Sequence, residues 1–282
     1  MSNFRHFVRL AFATPLLFAA SCASVATEVE ADGWSQLAQH DYQKALAAFD
    51  YALRDGETAE LQAGRGRALY YLDQHIASES AYARALELQP GQAQWHMELA
   101  LVHLACQDFD EAITECSEAI RLQPNLAKAY HNRGFAYHIL QKHDAAEADF
   151  SFSIQLNPDF AEAYNSRGIL RAELKKYQAA IADFHAAVRL KPHLASGHAN
   201  AAATNYALGN VEAAFVGMNS AIKIDRKNPL FYKNRGRMYL DLGNYDGAIN
   251  DFEEALVYAP GDPKLWELLT EARNSSHNRK DS

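Results

Sequence analysis

A chain of 282 residues suits one large domain or two small ones. Gly 14 and Pro 8 beside 51 alanines exclude a turn-dense β-sandwich or a low-complexity chain and favour helix. The composition, 49% hydrophobic and 22% charged, can bury a core; a net charge of -8 argues against a nucleic-acid partner, and three cysteines are too few for a disulfide scaffold.

The N-terminus reads as an address. Residues 1–9 carry Arg5 and Arg9 and no acid. They lead into the apolar run Leu10 to Ala20 and then into Ser21-Cys22-Ala23-Ser24, which is the order of a secretory signal. That run is 11 residues long and interrupted by Pro15, against the roughly 20 that a spanning helix needs. Residues 1–21 are therefore predicted as a signal peptide and 22–32 as a short acidic tether. Two cleavages stay open. Ala19-Ala20-Ser21-Cys22 resembles the lipobox of bacterial lipoproteins, although Ala19 stands where that family usually has Leu; Ser24-Val25-Ala26 suits an ordinary signal peptidase. The first resemblance implies an acylated Cys22 as the sole membrane contact. With Ala23 rather than Asp behind it, that implies an outer-membrane lipoprotein facing the periplasm. The second cleavage implies soluble export.

Further along, Pro90, Pro124, Pro158 and Pro192 are each 34 residues apart, and Pro260 lies twice that distance beyond. A register of six 34-residue units fills 59–262, beginning at Ala59, Ala93, Ala127, Ala161, Ala195 and Pro229. The eighth position reads Gly66, Ala100, Gly134, Gly168, Ala202, Gly236, and the twenty-seventh Ala85, Ala119, Ser153, Ala187, Ala221, Ala255. Small residues at fixed points let helix axes approach closely. Large ones such as Tyr82, Phe150, Phe184 and Phe252 at the twenty-fourth position fill the space that remains. The pattern is identified as a tetratricopeptide repeat, clearest over Tyr130 to Pro158, Tyr164 to Pro192 and Tyr232 to Pro260. That resemblance implies an all-α fold, a right-handed superhelical α-solenoid of antiparallel helix pairs. Residues 33–58 form a degenerate first repeat, joined by a one-residue slip. Residues 263–274 are predicted as a capping helix with Asp262 as its cap and Leu265, Trp266, Leu268 and Leu269 on its apolar face, and 275–282 as a disordered tail. The unit from Ala195 departs from its neighbours, with Met218 in place of Phe, Arg226 in place of Pro and a run of three alanines from Ala201. It is expected to pack more loosely. Arg133 with Asp149, Arg167 with Asp183 and Arg235 with Asp251 are predicted to pair across the two helices of one repeat.

Catalytic motifs are missing. The chain has no phosphate-binding loop, no His-Glu-x-x-His, no Cys-x-x-Cys and no nucleophile elbow. His96/His103 and His131/His138 are each seven apart, whereas two ligands on one helic face sharing an ion want to be four apart. No catalytic residue, metal or cofactor is expected. Stacked repeats instead offer an extended concave surface for a peptide or protein; an enzyme with no recognisable motif is the alternative. At 100° per residue, the second, sixth, ninth and thirteenth positions of each first helix look away from the second helix. The sixth supplies Asn132, Ser166, Asn200 and Asn234, whose amides or hydroxyl can pair with peptide backbone. The ninth supplies Leu101, Phe135 and Ile169 for apolar contact, and Arg67 and Arg237 for carboxylates. The family resemblance implies other proteins or extended peptides as partners, in adaptor roles of the bacterial envelope.

Overall fold

The computed structural model describes residues 28–280. It is all-α, and the described residues divide into two compact units, the first ending at Lys142 and the second beginning at His143. The first unit holds α1 (28–38), α2 (Tyr42–Ala52), α3 (Ala59–Tyr71), α4 (His75–Leu88), α5 (Ala93–Cys106), α6 (Phe109–Leu122) and α7 (Ala127–Ile139). The second holds α8 (His143–Leu156), α9 (Ala161–Glu173), α10 (Tyr177–Leu190), α11 (Ala195–Ala207), α12 (Val211–Ile224), α13 (Pro229–Asp241), α14 (Tyr245–Tyr258) and α15 (Pro263–Lys280). Every first helix from α3 to α13 starts on the first residue of its 34-residue unit. The signal-peptide and lipidation expectations, including Cys22, lie outside the described residues.

Two boundaries differ from expectation. α1 already runs at residue 28, inside the segment read as a tether, because Val29 joins Trp34 and Leu37 around Phe49. α15 continues through the polar tail to Lys280. No Gly or Pro follows Pro263 to stop it, and Arg273 Nη2 bonds Glu253 Oε1 at 2.7 Å. Its buried side is Leu265, Leu269 and Ala272, while Trp266 is half exposed rather than part of that side. Asp262 does cap it, accepting from the Lys264 amide at 2.9 Å.

The α3–α4, α9–α10 and α13–α14 hairpins close where one helix lacks a side chain. A Cβ placed on Gly168 would lie 2.6 Å from Phe184 Cε1, one on Gly236 2.6 Å from Phe252 Cε1, and one on Gly66 2.9 Å from Tyr82. In the first repeat Phe49 lies against Gly33 and Gly64 in the same way.

Turns between the helices of a pair share one geometry. The fifteenth position is left-handed throughout: His40, Asp73, Gln107, Gln141, Lys175, Gly209 and Gly243 all have positive φ. The amides that follow turn back onto the helix, as with Lys176 N to Arg171 O at 2.8 Å and Lys175 N to Ala172 O at 3.0 Å. This is the double bond of a Schellman motif. The turns between repeats are pinned differently, by an aromatic donor at the fourth position. Tyr232 Oη donates to Arg226 O at 3.1 Å and Trp266 Nε1 to Pro260 O at 3.1 Å; His198 Nε2 lies 3.0 Å from Pro192 O and His96 Nε2 3.3 Å from Pro90 O.

Two of the predicted ion pairs are present. Arg167 grips Asp183 at 2.7 and 3.0 Å, and Arg235 grips Asp251 at 2.7 and 2.8 Å, both bidentate. The aspartates are buried, so removing Arg235 strands the Asp251 charge at a cost of about 3–5 kcal/mol, whereas Asp183 keeps a second partner, Arg171 Nη1 at 2.9 Å. The Arg133–Asp149 expectation falls across the division between the units and belongs to neither. What the sequence reading did not include is the second hydrogen bond each arginine makes, to the preceding repeat. Arg133 reaches Ser117 Oγ (3.1 Å), Arg167 reaches Ser151 Oγ (3.0 Å) and Arg235 reaches Asn219 Oδ1 (2.5 Å). Arg65, at the same position, holds Asp50 at 2.7 Å. Each of Arg133, Arg167 and Arg235 also lies over the tyrosine one turn earlier, 5.5 to 5.9 Å from the ring centre.

Two outcomes test this packing. Gly168→Ala is expected to lower stability by about 1–3 kcal/mol in urea denaturation through overpacking, while Gly261→Ala, with nothing within 4 Å, leaves the midpoint unchanged or slightly raised. His96 Nδ1 sits 2.6 Å from Glu115 Oε2; that bond, against the opposing effect of burial, raises the imidazole above its ordinary 6.5. A raised folded value means the contribution is complete below about pH 6.5 and fades as pH rises through the folded pKa. Glu115→Gln should therefore lower the melting temperature more at pH 6 than at pH 8.5.

Candidate functional site

The first helices carry the candidate surface, because their eighth positions are spent on closing the hairpins. Opposite that contact the ninth and thirteenth positions are exposed or half-buried. In the first unit this face holds Leu101, Phe135, Ile139 and Tyr71; Phe135 and Tyr71 are 39% and 53% exposed. Tyr71 stacks on Tyr42 with centroids 4.6 Å apart, and Tyr70 meets it edge-on at 5.3 Å. In the second unit the same face holds Ile169, half-buried, and Arg237, exposed and with no ion pair among the described residues. Leu230 at the second position is exposed one turn before Asn234. Tyr71, Ile139 and Leu230 occupy positions the periodicity assigned to this face but were not singled out as site residues.

The sixth position lies deeper than the periodicity suggests. Asn132 is buried and Ser166, Asn200 and Asn234 are half-buried, so these side chains present an edge rather than a free head group. Asn200 Nδ2 donates to Asn165 Oδ1 at 3.2 Å, tying the sixth position of one repeat to the fifth of the repeat before it. At the corresponding fifth positions ahead of Asn132 and Asn234 stand Met97 and Ala199, which offer no such partner. Accordingly neither Asn132 nor Asn234 has a side-chain hydrogen bond among the described residues.

Arg67 requires a correction. It was expected to meet a ligand carboxylate, but its Nη2 is bound to Glu98 Oε1, its Nε lies 3.3 Å from Glu98 Oε2, and its guanidinium covers the Trp34 ring at 5.4 Å. Burial would lower its pKa, but the Glu98 carboxylate more than offsets this and raises it. Tyr82 Oη donates to Glu98 Oε2 at 2.6 Å and Gln94 Nε2 to Oε1 at 2.8 Å. Burial, followed by the charge of Glu98, pushes the Tyr82 phenol well above its usual value. The cluster is an internal polar core that joins three repeats of the first unit. Among the nine expected binding residues, the structure thus exposes Phe135 and Arg237, half-buries Leu101, Ile169, Ser166, Asn200 and Asn234, buries Asn132 and engages Arg67.

Among the described residues no three His, Cys, Asp or Glu side chains converge as metal ligands, and no helix is long and apolar enough to cross a membrane. Tetratricopeptide repeat family models match residues 64–127, 127–160, 161–194 and 229–262. Nothing among curated proteins matches the chain. Solved structures do resemble it. A chain of the APC/C hetero-tetramer Cut9-Hcn1 superposes with a TM-score of 0.70 at 17% identity, covering 88% of this chain and 46% of its own, so this chain spans less than half of that protein. A tetratricopeptide repeat protein from Parabacteroides merdae gives 0.69 at 17% identity, covering 88% and 98%. YrrB, described as a repeat protein of this kind with an unusual peptide-binding site, gives 0.53 at 17% identity, covering 72% and 99%.

Proposed function

Because the chain belongs to the tetratricopeptide repeat family, we propose that it is a non-enzymatic scaffold that binds protein partners as extended segments along its first-helix face. The observation that carries this reading is the pairing of amides that make no side-chain hydrogen bond among the described residues with exposed apolar side chains. Asn132 lies one turn from Phe135, and Asn234 lies one turn from Leu230 and Arg237. Such an amide can exchange water for the donor and acceptor of a peptide backbone, a net gain of about 1 kcal/mol per hydrogen bond. The apolar neighbours add burial of side chains. Partner peptides are favoured over nucleic acid by the acidic charge of the chain. Changing Asn132, Asn200 and Asn234 together to Ala is expected to weaken binding of partners or library peptides about tenfold or more, at roughly 1 kcal/mol per lost hydrogen bond. Unaltered affinity alongside an unaltered melting temperature rules the face out.

The same scaffold is proposed to act in a bacterial envelope, held by an acylated Cys22 or exported in soluble form. The support is the order of charged, apolar and small residues from Arg5 to Ser24. Several acyl chains hold a protein far better than one, so Cys22→Ala should leave the chain unprocessed or release it from membranes. Metabolic labelling with a clickable fatty acid decides between the two: label in the wild type that vanishes in the variant supports acylation, label in neither supports soluble export, and equal label in both refutes the anchor.

A further inference from the structure

One edge of the first unit carries aromatic rings that follow one another in contact. Where α1 turns into α2 and α3 into α4, His40, Tyr42, Tyr71, Tyr70 and His75 form a ribbon with successive ring centres 6.0, 4.6, 5.3 and 5.7 Å apart. His40 Nδ1 lies 2.9 Å from Tyr42 Oη, which fixes one end. Tyr71 stands half out of the ribbon, stacked on Tyr42, while the Tyr70 plane meets it at 75°, so the rings make a corner. Asp73 follows at the turn. Its amide bonds Tyr70 O at 3.1 Å, and its exposed carboxylate makes no ion pair or hydrogen bond among the described residues. Burial, followed by the neighbouring Tyr71 and Asp73, pushes the Tyr70 phenol up, as a carboxylate close to that ring requires. Elsewhere the chain sets its own cations over its rings: Arg54 over Tyr51, Arg67 over Trp34, Arg133 over Tyr130, Arg167 over Tyr164 and Arg235 over Tyr232. No lysine or arginine among the described residues lies over Tyr42, Tyr70 or Tyr71 in this way. Lys44 and Arg65, on the same two helices, are held by Asp41 and Asp50, each at 2.7 Å. Residues 28–88 carry 11 acids against 5 bases, so the local field draws cations.

We propose that this corner docks an arginine side chain of a partner protein, its guanidinium against the Tyr42, Tyr71 and Tyr70 rings and paired with the Asp73 carboxylate. A guanidinium is planar, stacks on aromatic rings more readily than an ammonium, and offers a carboxylate two parallel donors. The site is separate from the asparagine column and does not depend on that reading. An acetylated and amidated Gly-Arg-Gly-Arg-Gly peptide, titrated against the full chain by ligand-observed NMR at pH 8 and low salt, tests it beside the same peptide with citrulline, which has the shape of arginine without the charge. The arginine peptide is expected to bind about tenfold more tightly than the citrulline peptide. Tyr71→Leu, which leaves the charge of the chain unaltered, should weaken it about three- to tenfold, and Tyr71→Phe should not. Asp73 has a φ of 58°; Asp73→Asn keeps a side chain that tolerates that backbone and should weaken binding about threefold while flattening its dependence on salt. If Tyr71→Leu lowers the melting temperature, Asp73→Asn decides. Equal binding of the two peptides, binding of neither, or full affinity in the folded variants overturns the proposal. Affinity lost on changing Asn132, Asn200 and Asn234 but kept in Tyr71→Leu also overturns it and supports the amide face instead. Affinity kept in that triple variant but lost in Tyr71→Leu supports the corner, whatever becomes of the asparagine column.

Discussion

The packing of these helix pairs turns on a small residue opposite a large one, and in its strictest form on aromatic rings that need bare backbone opposite them. Phe184 occupies the place a side chain on Gly168 would take, and Phe252 and Tyr82 do the same at Gly236 and Gly66. Close packing of this kind is where small changes of volume are felt most. It fixes which face of each first helix is used up inside the hairpin, and so which face is left for a partner. The candidate surface is the remainder of a packing solution: Phe135, Ile139 and Leu230 are outside because the eighth positions must be inside.

Arginine then does the work between repeats that glycine does within them. One guanidinium has five donors in a rigid fork, enough to hold a buried aspartate in its own repeat with one edge and a hydroxyl or amide of the previous repeat with another. Arg167 and Arg235 do both. Where Leu99 replaces this arginine, the joint is held by another device, with Arg67, Glu98, Tyr82 and Gln94 forming a polar core beside it. Where Ala201 replaces it, Asn200 donating to Asn165 and His198 beside Pro192 O span the joint. The unit from Ala195, expected from its sequence to pack more loosely, instead seats α11 closely on α12, with Ala202, Ala214, Met218 and Ala221 buried between them.

Much of this was open to reading in the residues. The spacing of prolines and the columns of small residues gave the helix starts from Ala59 onward, since those positions answer to sterics alone. Left-handed residues at the fifteenth position were not legible, because only Gly209 and Gly243 advertise them; His40, Asp73, Gln107, Gln141 and Lys175 are held there by the two backbone bonds that close each first helix. Periodicity put the sixth position on the open face, yet its depth depends on the neighbouring repeat, which a single helix cannot reveal. Arg67 looked like an available cation for the same reason. The signal for the arginine bridge was present and unread: wherever the seventh position is Arg, the facing residue of the repeat before is Asp50, Ser117, Ser151 or Asn219, and where it is Leu99 or Ala201 that residue is Ala83 or His185.

Two sets of contacts that pin one repeat to the next, the fourth-position aromatics and the seventh-position arginines, point the same way along the chain. The aromatic donors of His198, Tyr232 and Trp266 and the bridging arms of Arg65, Arg167 and Arg235 each reach toward residues made earlier. A repeat emerging from the ribosome finds these acceptors already in place, whereas the donors of Arg67, Tyr82 and Tyr206 wait for Glu98 and Met238 in the repeat that follows. Within these two sets the asymmetry matters at the ends: losing a later repeat leaves behind a solvated hydroxyl or amide such as Ser151 or Asn219, whereas losing the first repeat takes Asp50 from Arg65.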